Sequence, residues 1–289
     1  MVPLMATEFF KLRKRMMTWV VALILMGLVV LLYSVLWSAS SRVQNFGEGH
    51  QFTGIDLRQA LFLPGAVPYA LQVVGTFGAI LAIILAAGSI GSEYAWGTVR
   101  LMATVSSGRM KLILAKLVVV FGLTAVGTLL AIAVALAYSF IIAMYYGGAS
   151  GSFLTATFVG DQFAAYGRTL LVLTPYMTLA FAVAVLGRST LAGVGTGMGV
   201  AFAEPLINGL LGAAGSPWSN IPHYLLNTNR QIVLLQNKVP AVLPRLGGGA
   251  GGVPVHSALV AGLILAAYAV AFIAVALVLY RRRDIGSSQ

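Results

Sequence analysis

From Gln59 to Ser92, and again from Leu117 to Gly160, the chain carries no Asp, Glu, Lys or Arg. Runs this long and this apolar restrict the fold severely, because about 20 apolar residues are enough to cross bilayer hydrocarbon as a helix. In that medium only structures that satisfy every backbone N–H and C=O internally persist, and with no alternating β pattern the helix is the form expected. The rest of the chain follows the same pattern: 59% of its 289 residues are hydrophobic and only 9% are charged, with a mean hydropathy of +0.93. An all-α integral membrane protein is the expected fold class, as one transmembrane domain over 1–289.

Six membrane-spanning helices are predicted, at about 16–37, 68–90, 112–138, 169–186, 191–214 and 256–280. The first run is longer than the core of an ordinary signal peptide, so it reads as a retained span. Ahead of it, Met5, Phe9, Leu12 and Met16 recur at helical spacing opposite Lys11, Lys14 and Arg15, a pattern that fits an amphipathic interfacial helix and equally the positive flank of a membrane anchor. Pro175 is expected to bend the fourth span or cap its start. Gly193, Gly195, Gly197 and Gly199 in the fifth form two overlapping small-xxx-small pairs that favour close helix packing. Between the fifth and sixth spans, 215–255 is a long connection whose middle, Ile221 to Gln236, mixes apolar and polar residues. Short interfacial or re-entrant helices are expected there.

The net charge of +11 does not point to nucleic acid, since the basic residues cluster beside the spans and no nucleic-acid module is present. It is a topology signal. With both termini cytoplasmic, the inner side holds Lys11, Arg13, Lys14, Arg15, Arg100, Arg109, Lys111, Lys116, Arg188 and Arg281 to Arg283, twelve in all, against six outside. There is no cysteine, no phosphate-binding loop, no metal-ligand pair and no nucleophile–base constellation, so no enzyme activity and no cofactor is expected in the chain itself. The one acid well inside a span is Glu204, followed by Pro205. Asn208 lies on the same face one turn later. Such an acid faces either a substrate path or a hydrogen-bonding neighbour, and the sequence leaves both open.

The stretch from Ser92 to Lys116, SEYAWGTVRLMATVSSGRMKLILAK, is a charged island between two charge-free runs. Ser92 is expected to cap a short helix with Glu93 in its first turn. This stretch, with the amino-terminal EFFKLRKRMMTWVVALIL and the carboxyl-terminal VLYRRRDIGSSQ, resembles ABC-2-type permeases, the membrane subunits of a class of ATP-driven exporters. The resemblance implies that Ser92 to Lys111 forms a cytoplasmic coupling helix between spans two and three, with Glu93, Tyr94, Gly97, Thr98, Arg100 and Arg109 meeting a separate cytosolic ABC ATPase subunit, in two copies, which binds ATP and Mg. It also implies a second permease chain, as homodimer or related heterodimer. The expected location is a bacterial plasma (inner) membrane in contact with lipid, and the cargo is a hydrophobic or amphipathic molecule such as a peptide, antibiotic, lipid or drug. An ion-coupled secondary transporter using Glu204, or a non-transporting scaffold subunit, are the alternatives.

The predicted topology is directly testable because the chain has no native cysteine. Single Ser107→Cys and Ser287→Cys variants should resist an impermeant thiol reagent added outside, whereas Gly49→Cys and Gly249→Cys should react. Labelling of the Ser107 variant from outside would overturn the orientation.

Overall fold

A computed structural model describes residues 1–43, 59–97, 109–146, 155–238 and 256–282. Among these residues every regular element is helical. They are α1 (Val2–Lys14), α2 (Met16–Val43), α3 (Ala66–Ala95), α4 (Arg109–Tyr146), α5 (Ala156–Gly187), α6 (Thr190–Ala213), a 3-10 turn (Trp218–Tyr224), α7 (Leu226–Leu235) and α8 (Ala258–Arg282). Six of them, α2 to α6 and α8, are long and apolar enough to cross a membrane. The protein is a multi-pass membrane protein.

The helices outrun the spans expected from hydropathy. At 1.5 Å per residue the 38 residues of α4 reach roughly 57 Å, well beyond a hydrocarbon core of about 30 Å. In α5 the helix starts at Ala156, so Asp161 and Arg168 lie within it, and Pro175 is interior rather than at the start. Its lost N–H is one backbone bond in a long ladder. Thr155 caps α5 by accepting the Phe158 N–H at 3.2 Å. The α5–α6 turn is as short as the sequence suggests: Arg188 takes a left-handed conformation (φ 49°) and Ser189 caps α6.

Two helices form the centre. α3 and α5 are largely buried and pack against each other along their length, while α2, α4, α6 and α8 surround them with mostly exposed outer faces. α2 leans on α4 and α3, α6 on both central helices, and α8 on α5 and α7. Buried Tyr33 joins the first three spans, donating to the Ala66 carbonyl at 2.5 Å and stacking near Tyr69 and Tyr138.

Only one of the two expected glycine pairs is used. A Cβ on Gly193 would stand 2.5 Å from the Ala180 carbonyl oxygen, and one on Gly197 would stand 2.7 Å from Ile83, so this face of α6 is held close to α3 and α5. Gly195 and Gly199 have open space around them. The two pairs point to different sides of the helix, and only one side meets the bundle.

Connections place the start of α2, the end of α3, the start of α4 and the α5–α6 turn at one end of the bundle. There Arg15 donates to Ser92 at 2.6 Å, and Gly91 lies so near the Thr190 backbone that no side chain fits between them. The opposite end holds the 3-10 turn, α7 and the start of α8, where a His256 ring nitrogen lies 2.9 Å from the His223 carbonyl. α8 therefore finishes at the same end as α1. That end carries Lys11, Arg13, Lys14, Arg15, Lys111, Lys116, Arg188 and Arg281.

Candidate functional site

Two polar assemblies interrupt an otherwise apolar bundle. The first lies at the basic end. α1 buries Glu8 and Leu12, with Met5 packed on the core, so its inward stripe runs 5, 8, 12. This corrects the expected Met5–Phe9–Leu12–Met16 stripe, since Phe9 and Met16 are exposed. The register turned because an acid on that side had a buried cation to meet.

That cation is Lys116, in the second turn of α4 and 1% exposed. Its ammonium lies 2.5 Å from Glu8 Oε2 and 2.5 Å from Glu93 Oε1, while Lys11 Nζ lies 2.7 Å from Glu8 Oε1 and 3.7 Å from Glu93 Oε1. Two carboxylates and two ammonium groups balance. Burial would push the Glu8 carboxyl up, but the charge of Lys116 and the hydrogen bonds from Lys11 and Lys116 outweigh it and hold the group below the usual carboxylate range. Glu93 sits in the last turn of α3, where the helix dipole disfavours a negative charge. Lys116 offsets that cost.

Next to the cluster Arg15 seals the end of α3. It donates to the Gly88 carbonyl at 3.2 Å and to Ser92 Oγ, and its guanidinium lies 5.1 Å from the centre of the Trp96 ring. Ser92 Oγ itself donates to the Gly88 carbonyl at 2.6 Å. Ser92 is thus no N-cap, and no new helix begins there: α3 runs on to Ala95 and places Glu93 at a carboxyl end, facing inward. A span was expected to stop where its apolar run stopped, but the ion cluster lets the helix continue through a charge. Gly97, at φ 68°, ends α3 in the left-handed region that glycine tolerates best.

Among the other residues expected in the coupling segment, Tyr94 is half-buried against the core. Thr98 and Arg100 fall outside the described residues, as does most of the expected coupling helix. Arg109 opens α4. The structure joins Glu93 to Glu8, a residue that sequence reasoning passed over. The signal was available: Glu8 is the lone acid before Glu48 and stands at helical spacing between Met5 and Leu12.

The second assembly is at the opposite end, around α7. Glu204 accepts the Leu226 N–H on Oε1 at 2.5 Å and the Asn227 N–H on Oε2 at 3.0 Å, with the Tyr176 hydroxyl donating at 3.5 Å. It caps a neighbouring helix. α7 has no side-chain cap of its own, and its first N–H groups would otherwise be buried without acceptors. Asn208 adds a bond from Nδ2 to Thr228 Oγ1 at 3.0 Å. At the other end of α7, Arg168 donates to the Gln236 carbonyl and to Asn237 Oδ1. A ten-residue helix is marginal alone. Here an acid from α6 holds its positive end and a base from α5 its negative end. Buried Arg230, on α7, bonds Asn227 Oδ1 and lies 5.9 Å from the Tyr176 ring centre.

Among the described residues no three His, Asp or Glu side chains come together as metal ligands would. The profile of a protein family described as a protein of unknown function (DUF2705) matches residues 62–286. No curated protein matches the chain.

Lys116→Met leaves two buried carboxylates sharing one partly exposed ammonium, that of Lys11, and should cost about 3–5 kcal/mol, whereas adding Glu8→Gln and Glu93→Gln removes the uncompensated charge and should restore most of the loss. Thermal unfolding of purified protein in detergent reads both. Because the Glu8 carboxyl is held low, its contribution is complete above the ordinary carboxylate value and disappears as pH falls through the lowered one. Protease release of α1 should accordingly be flat from neutral pH down to that range and rise only below it. For α7, Glu204→Leu leaves two buried N–H groups without acceptors, at about 1–3 kcal/mol each, and Glu204→Gln keeps one acceptor. Proteolysis within 226–235 should therefore increase more for Leu than for Gln, and equal protection in both variants and wild type would show that the cap contributes nothing.

Proposed function

The chain belongs to the family of proteins of unknown function designated DUF2705, and, from its own residues and fold, we propose that it is the membrane-spanning permease subunit of an ATP-driven exporter of the ABC-2 type. The observation that carries this reading is the Lys116 cluster. The segment 98–108 leaves α3 and enters α4, and one buried ammonium links the last turn of α3, the second turn of α4 and the helix α1. A push on the ends of α3 and α4 reaches all three elements at once. A partner's conformational cycle can shift a membrane protein only by contacting its two states differently, and two span ends tied together by a buried charge are a suitable lever.

In this reading the basic end faces the cytoplasm, in keeping with the Lys and Arg bias. α1 lies at the inner surface, and Tyr94, Gly97, Thr98, Arg100 and Arg109 belong to the surface offered to a cytosolic ATPase. That partner, in two copies, binds ATP and Mg. A second permease chain completes the path, and the cargo is hydrophobic or amphipathic. Glu93 acts from within, by holding the α3 end to α4 and α1, rather than by touching the ATPase. α7 and the 3-10 turn close the outer end, so Glu204 and Asn208 serve the path by fixing that closure.

The test is purification of the tagged chain from its own host membranes. The wild type should bring down a protein that hydrolyses Mg-ATP, and the reconstituted pair should couple hydrolysis to transport. For Arg100→Glu, recovered ATPase activity per amount of accumulated chain should fall by about tenfold or more, the cost of a like-charge mismatch at an interface. Transport by the chain alone, driven by a proton gradient without ATP, would overturn the proposal.

A further inference from the structure

Between α2, α3 and α4, on the side of α1, lies an apolar cleft of about 270 Å³. Its floor is built from α3, including Val74, Gly78 and Leu85, and its rim includes Trp19, Val126 and Leu130, all exposed. From Val74 to Leu85 the floor rises roughly 16 Å at 1.5 Å per residue, which is about half of a 30 Å hydrocarbon core. The cleft is one leaflet deep.

Its shallow end differs in chemistry from its deep end. Arg13 lines it there, exposed, and no acidic side chain lies within ion-pair distance of Arg13 among the described residues. The Trp19 indole N–H donates to the Arg13 carbonyl at 2.9 Å, which sets an aromatic ring at the depth where tryptophan prefers the headgroup layer. Lys11 is committed to Glu8, and Lys14 lies over the Phe10 ring at 4.5 Å, so Arg13 is the cation left at the mouth of the cleft. A greasy slot of leaflet depth with one guanidinium at headgroup level complements an acyl chain below and a phosphate above.

We propose that this cleft is a binding site for one anionic phospholipid, its acyl chain lying along α3 and its phosphate on Arg13. The occupant is resident lipid from the leaflet next to α1. It fills the gap beneath the docked amino-terminal helix and so couples the position of α1 to the charge of that leaflet. The proposal stands on the membrane-spanning fold and does not depend on the permease reading.

Two substitutions separate chain from headgroup. Gly127 lines the cleft, and a Cβ there meets only the Leu25 side chain, at 4.0 Å, so Gly127→Leu is the variant chosen to fill it. Gly122, on the same helix and with nothing within 4 Å, provides Gly122→Leu as the control. The full-length protein, delipidated in detergent and re-exposed to phosphatidylglycerol or phosphatidylcholine, is examined by native mass spectrometry for lipid retained per chain. Wild type and Gly122→Leu should retain one phosphatidylglycerol in preference to phosphatidylcholine, and Gly127→Leu should retain neither. Arg13→Gln should keep the chain site but lose about fivefold in preference for the anionic lipid, the effect expected of one basic residue near an anionic surface. Glycerol phosphate without a chain should displace nothing.

Equal retention by Gly127→Leu and Gly122→Leu would overturn the proposal, and so would displacement by glycerol phosphate. A high yield of disulfide between two copies carrying Val126→Cys in membranes would assign the cleft to a second chain and would equally overturn it.

Discussion

Hydrocarbon offers a polar group no water, and the whole structure is a response to that. Every buried N–H, carboxylate or ammonium must find its partner inside the protein, or the helix bearing it will not stay in place. The long helices answer the constraint for their own backbones. Among the described residues, the buried charges of Glu8, Glu93, Lys116 and Glu204 tie separate helices together.

At the basic end the constraint becomes an assembly rule. Lys116 is too deeply buried to reach water, so it recruits Glu93 from α3 and Glu8 from α1, and the amino-terminal helix is held against the bundle by charge as much as by Leu12. Such a cluster contributes less net stability than its short distances suggest, since desolvation opposes the attraction. Its effect is on arrangement. It permits α3 to continue past the end of its apolar run and fixes where the next segment leaves. At the other end Glu204 and Arg168 do the same for α7, a helix too short to persist without neighbours at both termini.

The membrane class and the number of spans were legible because they depend on composition within a window, which no later folding event alters. Short helices in 221–236 were legible for a similar reason, as apolar and polar residues alternated there without a full span's length. The stripe of α1 was misread. Phe9 and Met16 are more hydrophobic than Glu8, but hydrophobicity ranks residues against water, and the side of α1 that turned inward met an ammonium. Ser92 and Glu93 were misread likewise: serine followed by an acid marks a helix start in water, whereas here both lie at the end of a helix, where the Ser92 hydroxyl accepts from Arg15 and the acid is met by Lys116.

What the sequence determined by itself is local and additive: the length of the charge-free runs sets how many helices can cross a membrane, and composition within each window sets the fold class. What the tertiary structure alone decided is the pairing of isolated polar residues far apart in the chain. That Glu204 meets the first N–H groups of α7, and which side of α1 is buried, could not be read from spacing. Each depends on which group another helix brings to the same point, and for a lone charge in a low-dielectric interior that one contact outweighs every local preference.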